Sequence, residues 1–390
     1  MISILYQHKF GGTDLLLQRM ESWLKNNNYV VTDEKSAVKE KVNLDLIVVP
    51  TSEMHRLYHL KRKGLKFKKL LVWSMGHGAL KAAFYNNRFE NFLYGIPKYG
   101  VDFFIRKFSA SLIETNSILF TDKVGLLHDL KGIDLRGVNL DELLCPIAIK
   151  NYGEVPTSRL NKSNIVFGWI GRISHDFKLL PLKKILRDLE AIGSEQNRTF
   201  RMIIVGDGDG AKSLEIFLPS VGNINVEWIK EVKNDQILKF IDEEIDVLFA
   251  MGTSALDGAN TSTPTVIVQP FSIDKEEPSK AYRWIFESIG FSLGEFVNIQ
   301  VEPIQVSVDL KSIVSDIEIQ GLDEISKQCR KYSISFHEDN VFNKIFPSRE
   351  INDIGVDTLR YLSVLSFLYN TKIFLKNIFA LLWHKSKILK

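Results

Sequence analysis

Short apolar runs alternate, along the first half of the chain, with stretches whose apolar positions recur at helical spacing. The runs are Ile2 to Tyr6, Leu44 to Val49, Lys69 to Trp73 and Ser117 to Thr121. Each has the length and composition of a strand buried on both faces of a parallel sheet. Between the first two, Leu16, Met20, Trp23 and Leu24 fall on one helical face, with Thr13 placed to cap the helix and Gly11-Gly12 making the tight turn from strand to helix. This pattern predicts the opening of a βαβ unit.

The same grammar restarts after residue 160, with runs at Ile165 to Trp169, Met202 to Val205, Asn225 to Trp228, Asp246 to Ala250 and Thr265 to Val268. Leu182, Ile185, Leu186 and Leu189 stripe the first intervening helix, and Ile237, Leu238 and Ile241 a later one. The segment Cys145 to Lys162 holds Pro146, Gly153 and Pro156 without periodicity, as a joint would. The expected fold is α/β: a Rossmann-like domain over 1–150, a second over 151–350 and a helical C-terminal segment over 351–390. Open parallel sheets bind ligands beyond the carboxyl ends of their strands, so two such domains are expected to face each other across a ligand cleft.

Length agrees with two domains, since 390 residues exceed what one hydrophobic core usually serves. A net charge of +3 from 50 basic and 47 acidic side chains is too close to neutral to imply a nucleic-acid partner by charge alone, local basic stretches aside, and none is expected. The two cysteines, Cys145 and Cys329, have neither a disulfide framework's number nor a zinc site's spacing, which fits a reducing compartment. The N-terminal run is short and lacks a basic leader, so a cytoplasmic protein is expected.

Candidate chemistry concentrates in the second half. The strand ending Phe167-Gly168-Trp169-Ile170-Gly171-Arg172 is followed by Lys178 and a helix, which delivers two cations to one strand end. An Arg fork and a Lys point charge there would stabilise the charge gained by a departing diphosphate, although a solvated basic loop is the plainer alternative. Met251-Gly252-Thr253-Ser254-Ala255-Leu256-Asp257-Gly258-Ala259 follows another strand with small residues that open a helix, whose free N–H groups suit a phosphate. Asp257, about one turn inside, is placed either to hold two ribose hydroxyls or simply to complement the helix dipole.

Gly171-Arg172 with Lys178, the turn Ile203-Ile204-Val205-Gly206-Asp207-Gly208, and Ser254 to Ala259 followed by Pro264 together resemble family four of the retaining GT-B glycosyltransferases, makers of bacterial surface polysaccharides. The resemblance implies that Arg172 and Lys178 bind the diphosphate of a nucleotide sugar, UDP- or GDP-linked, and that Gly252, Thr253, Ser254, Ala255, Leu256 and Asp257 receive the nucleotide. It also implies a glycan or lipid-linked acceptor, no metal and no other cofactor. The family usually carries two glutamates eight positions apart. Here the second is Asp257, and the first falls near Phe249 or Ala250, which are not acidic. In the first half the resemblance rests on Gly11-Gly12 and on His77 in Trp73-Ser74-Met75-Gly76-His77-Gly78, where family members often place a histidine beside the donor sugar. A structural turn residue is the alternative for His77. A nucleotide-sugar 2-epimerase or a non-catalytic binding protein on the same fold are the competing functions.

Two further matches compete with this reading. Gly206-Asp207-Gly208-Asp209-Gly210-Ala211 fits a dinucleotide fingerprint, with Glu227 and Glu231 at ribose distance, but its aspartates would face a pyrophosphate. Asp207-Gly208-Asp209 is formally a metal-binding D-x-D and reads better as a turn. At the C-terminus, Phe367, Tyr369, Ile373, Phe374, Ile378, Phe379, Leu382 and Trp383 interleave with lysines. The lysines interrupt a membrane span, so this segment is expected either to pack on the first domain or, over its last 15 or so residues, to attach to an anionic membrane face.

Overall fold

The computed structural model describes residues 1–6, 12–84, 98–153, 165–272, 276–294, 305–346, 348–367 and 370. The chain divides into two compact units: Met1–Pro146 with Phe342–Lys390, and Ile147–Val341.

The first unit runs β1 (Ile2–Ile4), α1 (Gly12–Asn26), α2 (Glu34–Lys39), β2 (Asn43–Pro50), α3 (Met54–Arg62), β3 (Lys66–Ser74), α4 (Ala79–Ala82), α5 (Lys98–Glu114), β4 (Ile118–Phe120) and α6 (Lys123–Asp129). Among the described residues its sheet has the order β1-β2-β3-β4, every pair parallel. A further parallel bridge joins Ile2 to Val31 on the free side of β1, so the chain order reverses between β1 and β2. Leu16, Met20, Trp23 and Leu24 are buried as their spacing requires. The helix opens at Gly12, so Thr13 lies within its first turn instead of capping it.

The returning C-terminal segment completes this unit. Phe342 and Phe346 pack on the Trp23 ring at 5.5 and 6.5 Å between centroids. Arg349 donates from Nε to the Asn116 carbonyl (3.0 Å), from Nη1 to the Glu142 carbonyl (2.5 Å) and from Nη2 to Asn116 Oδ1. Backbone bonds from Asn352 to Thr115 and from Ile354 to Lys68 carry the chain onward. Residues 356–367 are helical, with Leu362 and Leu365 buried. Among the described residues no helix is long and apolar enough to cross a membrane. The stretch expected to meet a membrane face lies outside them.

The second unit runs β5 (Val166–Ile170), α7 (Leu179–Gln196), β6 (Phe200–Val205), α8 (Ala211–Phe217), β7 (Ile224–Ile229), α9 (Ile237–Glu244), β8 (Val247–Ala250), α10 (Thr253–Asn260), β9 (Thr265–Val268), β10 (Tyr282–Trp284), α11 (Leu310–Gln320), α12 (Leu322–Ile334) and α13 (Glu338–Phe342), the last running into the first unit. Its described sheet has the order β10-β9-β8-β5-β6-β7, parallel except for β10. The apolar stripe of α7 is fully buried. All nine runs read as strands form strands, within a few residues of the expected ends. The tenth, β10, escapes the pattern because it is three residues long and carries Arg283 at its centre. That side chain is 1% exposed and gives Nε to Ser288 Oγ at 2.9 Å.

Candidate functional site

In the second unit the chain leaves β5 for β6 and β7 on one side, and leaves β8 for β9 on the other. β5 and β8 are neighbours, with Trp169 opposite Phe249. The order of the sheet therefore reverses between them, and in open α/β sheets the crevice beyond such a reversal is where ligands bind. Two loops leave this point, Gly171-Arg172 from β5 and Met251-Gly252 from β8.

The first loop rests on the turn after β6. Ile173 donates its N–H to the Asp207 carbonyl and accepts from Gly210 N, both at 2.9 Å. Gly206 has φ 145° and Gly208 φ 154°, and an added Cβ would lie 2.1 Å from the Gly171 carbonyl oxygen and 2.3 Å from that of Ile173. Both glycines thus serve close backbone approach, which accounts for the fingerprint-like spacing. Asp209 Oδ1 accepts from His175 N at 3.2 Å and Asp207 Oδ1 from Gly208 N at 2.8 Å, so the two carboxylates brace loop backbone. Glu227 is paired with Arg201 at 3.1 Å. Among the described residues no cluster of His, Cys, Asp and Glu is placed to hold a metal ion.

Arg172 stands exposed at the loop tip, with Nη2 3.6 Å from Asp176 Oδ2. Such a loose, solvated pair contributes little and yields readily to a stronger anion. Lys178 is half-buried at the start of α7. Burial, with the charge of Arg172 beside it, holds its ammonium below the usual lysine range, and Asp176 opposes this only in part. Arg172 and Lys178 thus bring two cations to this strand end, with Asp176 beside them.

The second loop turns at Gly252, whose φ of 63° suits glycine, and opens α10 with no side chain capping it. The first-turn N–H groups of Thr253 and Ser254 face out of the helix, where its dipole favours an anion. The side chains of Ala255 and Leu256 are fully buried, and their N–H groups turn back to the Gly252 carbonyl at 3.1 and 3.4 Å. Asp257 lies half-buried one turn in. The small residues of α10 also have a packing cause, since a Cβ on Gly258 would meet Leu248 and Thr265 side chains at 2.5 Å. Phe249 and Ala250, at the position of the missing acidic residue, are wholly buried in β8.

In the first unit, His77 follows β3 between Gly76 and Gly78, both with positive φ. Its Nε2 lies 3.3 Å from Asp122 Oδ1, and Asp122 caps α6 by accepting from Gly125 N at 2.7 Å. At the other end of α6, Asp129, buried, accepts from Ser74 Oγ and Leu80 N, and faces His128 Nδ1 at 3.7 Å. Sequence reading found His77 but missed Asp122 and Asp129; Thr121-Asp122 ahead of an apolar run was the available capping signal. Gly12 opens α1 beyond β1, beside the reversal of that sheet, and Gly11 lies outside the described residues.

No family model matches the chain, and no curated protein matches it. Solved structures similar to it include a TarM mutant of S. aureus in complex with Fondaparinux, alpha-GlcNAc-glycerol and UDP, at 12% identity and TM-score 0.40 over 83% of this chain and 55% of that one. This chain therefore spans about half the length of that relative. An alpha-glucosyltransferase in complex with UDP matches at 9% identity and TM-score 0.47, over 88% of this chain and 98% of its own. WaaG, a glycosyltransferase involved in lipopolysaccharide biosynthesis, matches at 13% identity and TM-score 0.46, over 90% and 99%. At such identities and scores none of them bears on which reaction this chain performs.

Proposed function

We propose that the chain is a metal-independent, retaining glycosyltransferase that takes its sugar from a nucleotide-diphosphate donor. One observation carries the reading: Arg172, Lys178 and the uncapped start of α10 lie on the two loops at the β5/β8 reversal, a cationic crevice that asks for a diphosphate. In the reaction the anomeric C–O bond breaks with its electron pair going to the terminal phosphate oxygen, whose growing charge Arg172 and Lys178 stabilise. The acceptor oxygen bonds to the anomeric carbon on the same face, and its proton passes to the departing phosphate. Asp257 holds the ribose, and His77, whose Nε2 lies 3.3 Å from Asp122 Oδ1, acts on the donor sugar. The acceptor is a glycan or lipid-linked sugar of surface polysaccharide assembly, reached at the inner membrane face through the basic, aromatic C-terminal stretch.

A non-catalytic nucleotide-binding role is favoured by one feature, the buried Phe249 and Ala250 in place of a carboxylate toward the sugar. A panel of UDP- and GDP-sugars, assayed for nucleoside diphosphate release with and without lipid-linked acceptor, decides between them. Acceptor-dependent release with retained anomeric configuration is expected; binding without release establishes the non-catalytic role, and epimerised sugar a 2-epimerase. Truncation after Lys376 is expected to abolish most binding to anionic liposomes while sparing turnover of a soluble acceptor analogue, and undiminished liposome binding by the truncated chain removes the membrane role.

A further inference from the structure

The indole of Trp169 has one polar atom, and it is a donor. Trp169 is 1% exposed, and its Nε1 has no hydrogen-bond partner. Buried donors left in this state are uncommon and call for an explanation. Trp169 lies near the end of β5, two residues before Gly171, a glycine whose φ is not in the left-handed region, so its backbone would admit any residue. What glycine supplies here is room. A Cβ at that position would lie 3.5 Å from Lys178 Nζ and 3.7 Å from Trp169 Nε1. The ammonium and the indole N–H therefore border the volume that a side chain would fill.

The two polar groups that border this volume donate: indole N–H and ammonium have no acceptor atom between them. The nearby carboxylate, Asp176, is drawn away: Oδ1 accepts from Ser174 Oγ and from Phe177 N (2.9 Å), while Oδ2 faces Arg172 at 3.6 Å. A set of donors around a small void is completed by an anionic oxygen.

We propose that Trp169 is a third ligand of the diphosphate: its indole N–H and the Lys178 ammonium together bind one anionic phosphate oxygen seated over Gly171. This rests on the diphosphate reading of Arg172 and Lys178, and adds a donor that belongs to the core of the sheet. The depressed titration of Lys178 has the same origin, a half-buried ammonium with another cation beside it.

Inorganic pyrophosphate is the probe, because it is indifferent to base and sugar. Calorimetric titration of the full chain is expected to give an affinity that Trp169→Phe, which keeps the ring and removes the N–H, weakens about tenfold, as loss of a hydrogen bond to a charged acceptor does. Gly171→Ala, which fills the void and removes no group, is expected to weaken it at least as much and serves if the Phe variant does not fold. In a proton–nitrogen spectrum, pyrophosphate is expected to shift the Trp169 indole resonance downfield, assigned by its absence from the Phe variant. Equal affinities for wild type and Trp169→Phe, or an unmoved indole resonance on saturation, overturn the proposal. If Arg172→Ala still loses pyrophosphate in that case, the diphosphate reading stands without Trp169; if it does not, both fall.

Discussion

Arg172 and Lys178 are two cations of different kinds held at one strand end, and their surroundings set different tests. Arg172 is exposed and only loosely engaged by Asp176, so Arg172→Ala should leave the fold intact. Turnover should nevertheless fall about a hundredfold, the size of effect seen when one electrostatic stabiliser of a developing anion is removed; unchanged steady-state rates in the folded variant would dismiss its role. Lys178 titrates below the ordinary lysine value of 10.5, chiefly through burial and then through Arg172. The charged form is the one that binds phosphate, and it is lost as pH rises. Nucleoside diphosphate affinity should therefore begin to decline below the pH at which an exposed lysine would titrate. Lys178→Arg, charged throughout, should flatten that decline; a wild-type affinity that is level through pH 10 would exclude the lysine as a ligand. The residue types of this site were legible in the sequence. The indole N–H of Trp169 was not, because nothing local distinguishes a donor buried without a partner from a core tryptophan.

At the scale of elements, the site is made by two strand ends and the helix after each. The Gly206-Asp207-Gly208 turn shows how spacing misleads: it matches a nucleotide fingerprint, yet its glycines exist to let one βα loop rest on another's carbonyl oxygens. Small residues after a strand predict the opening of α10, and the helix begins at Thr253. The side chains of Ala255 and Leu256 turn into the core, because the helix packs on β8 and β9. Asp257 remains on the accessible side of that helix. Asp257→Ala should weaken nucleoside diphosphate binding by about 1–3 kcal/mol, because hydrogen bonds from the ribose to a charged acceptor are lost. Equal calorimetric affinities for variant and wild type would leave Asp257 only a helix-dipole role.

For the whole molecule, the C-terminal return matters most, since the first unit is built from both ends of the chain. Arg349 fastens that return, donating to Asn116 and Glu142. Arg349→Ala should destabilise the first unit by about 2 kcal/mol, the loss of hydrogen bonds from a charged group, and should shift its denaturant midpoint. An unmoved midpoint would mean that the aromatic contacts of Phe342 and Phe346 suffice. Alone, the sequence determined nine strand-forming runs, the two Rossmann-like units and the residue types of the cationic loops, because periodicity and turn chemistry act over a few neighbouring residues. Tertiary structure decided that β5 and β8 are neighbours, that the chain end belongs with its beginning, and that Trp169, Lys178 and Gly171 share one small void. These facts depend on pairing between segments distant in the chain, which no local pattern records.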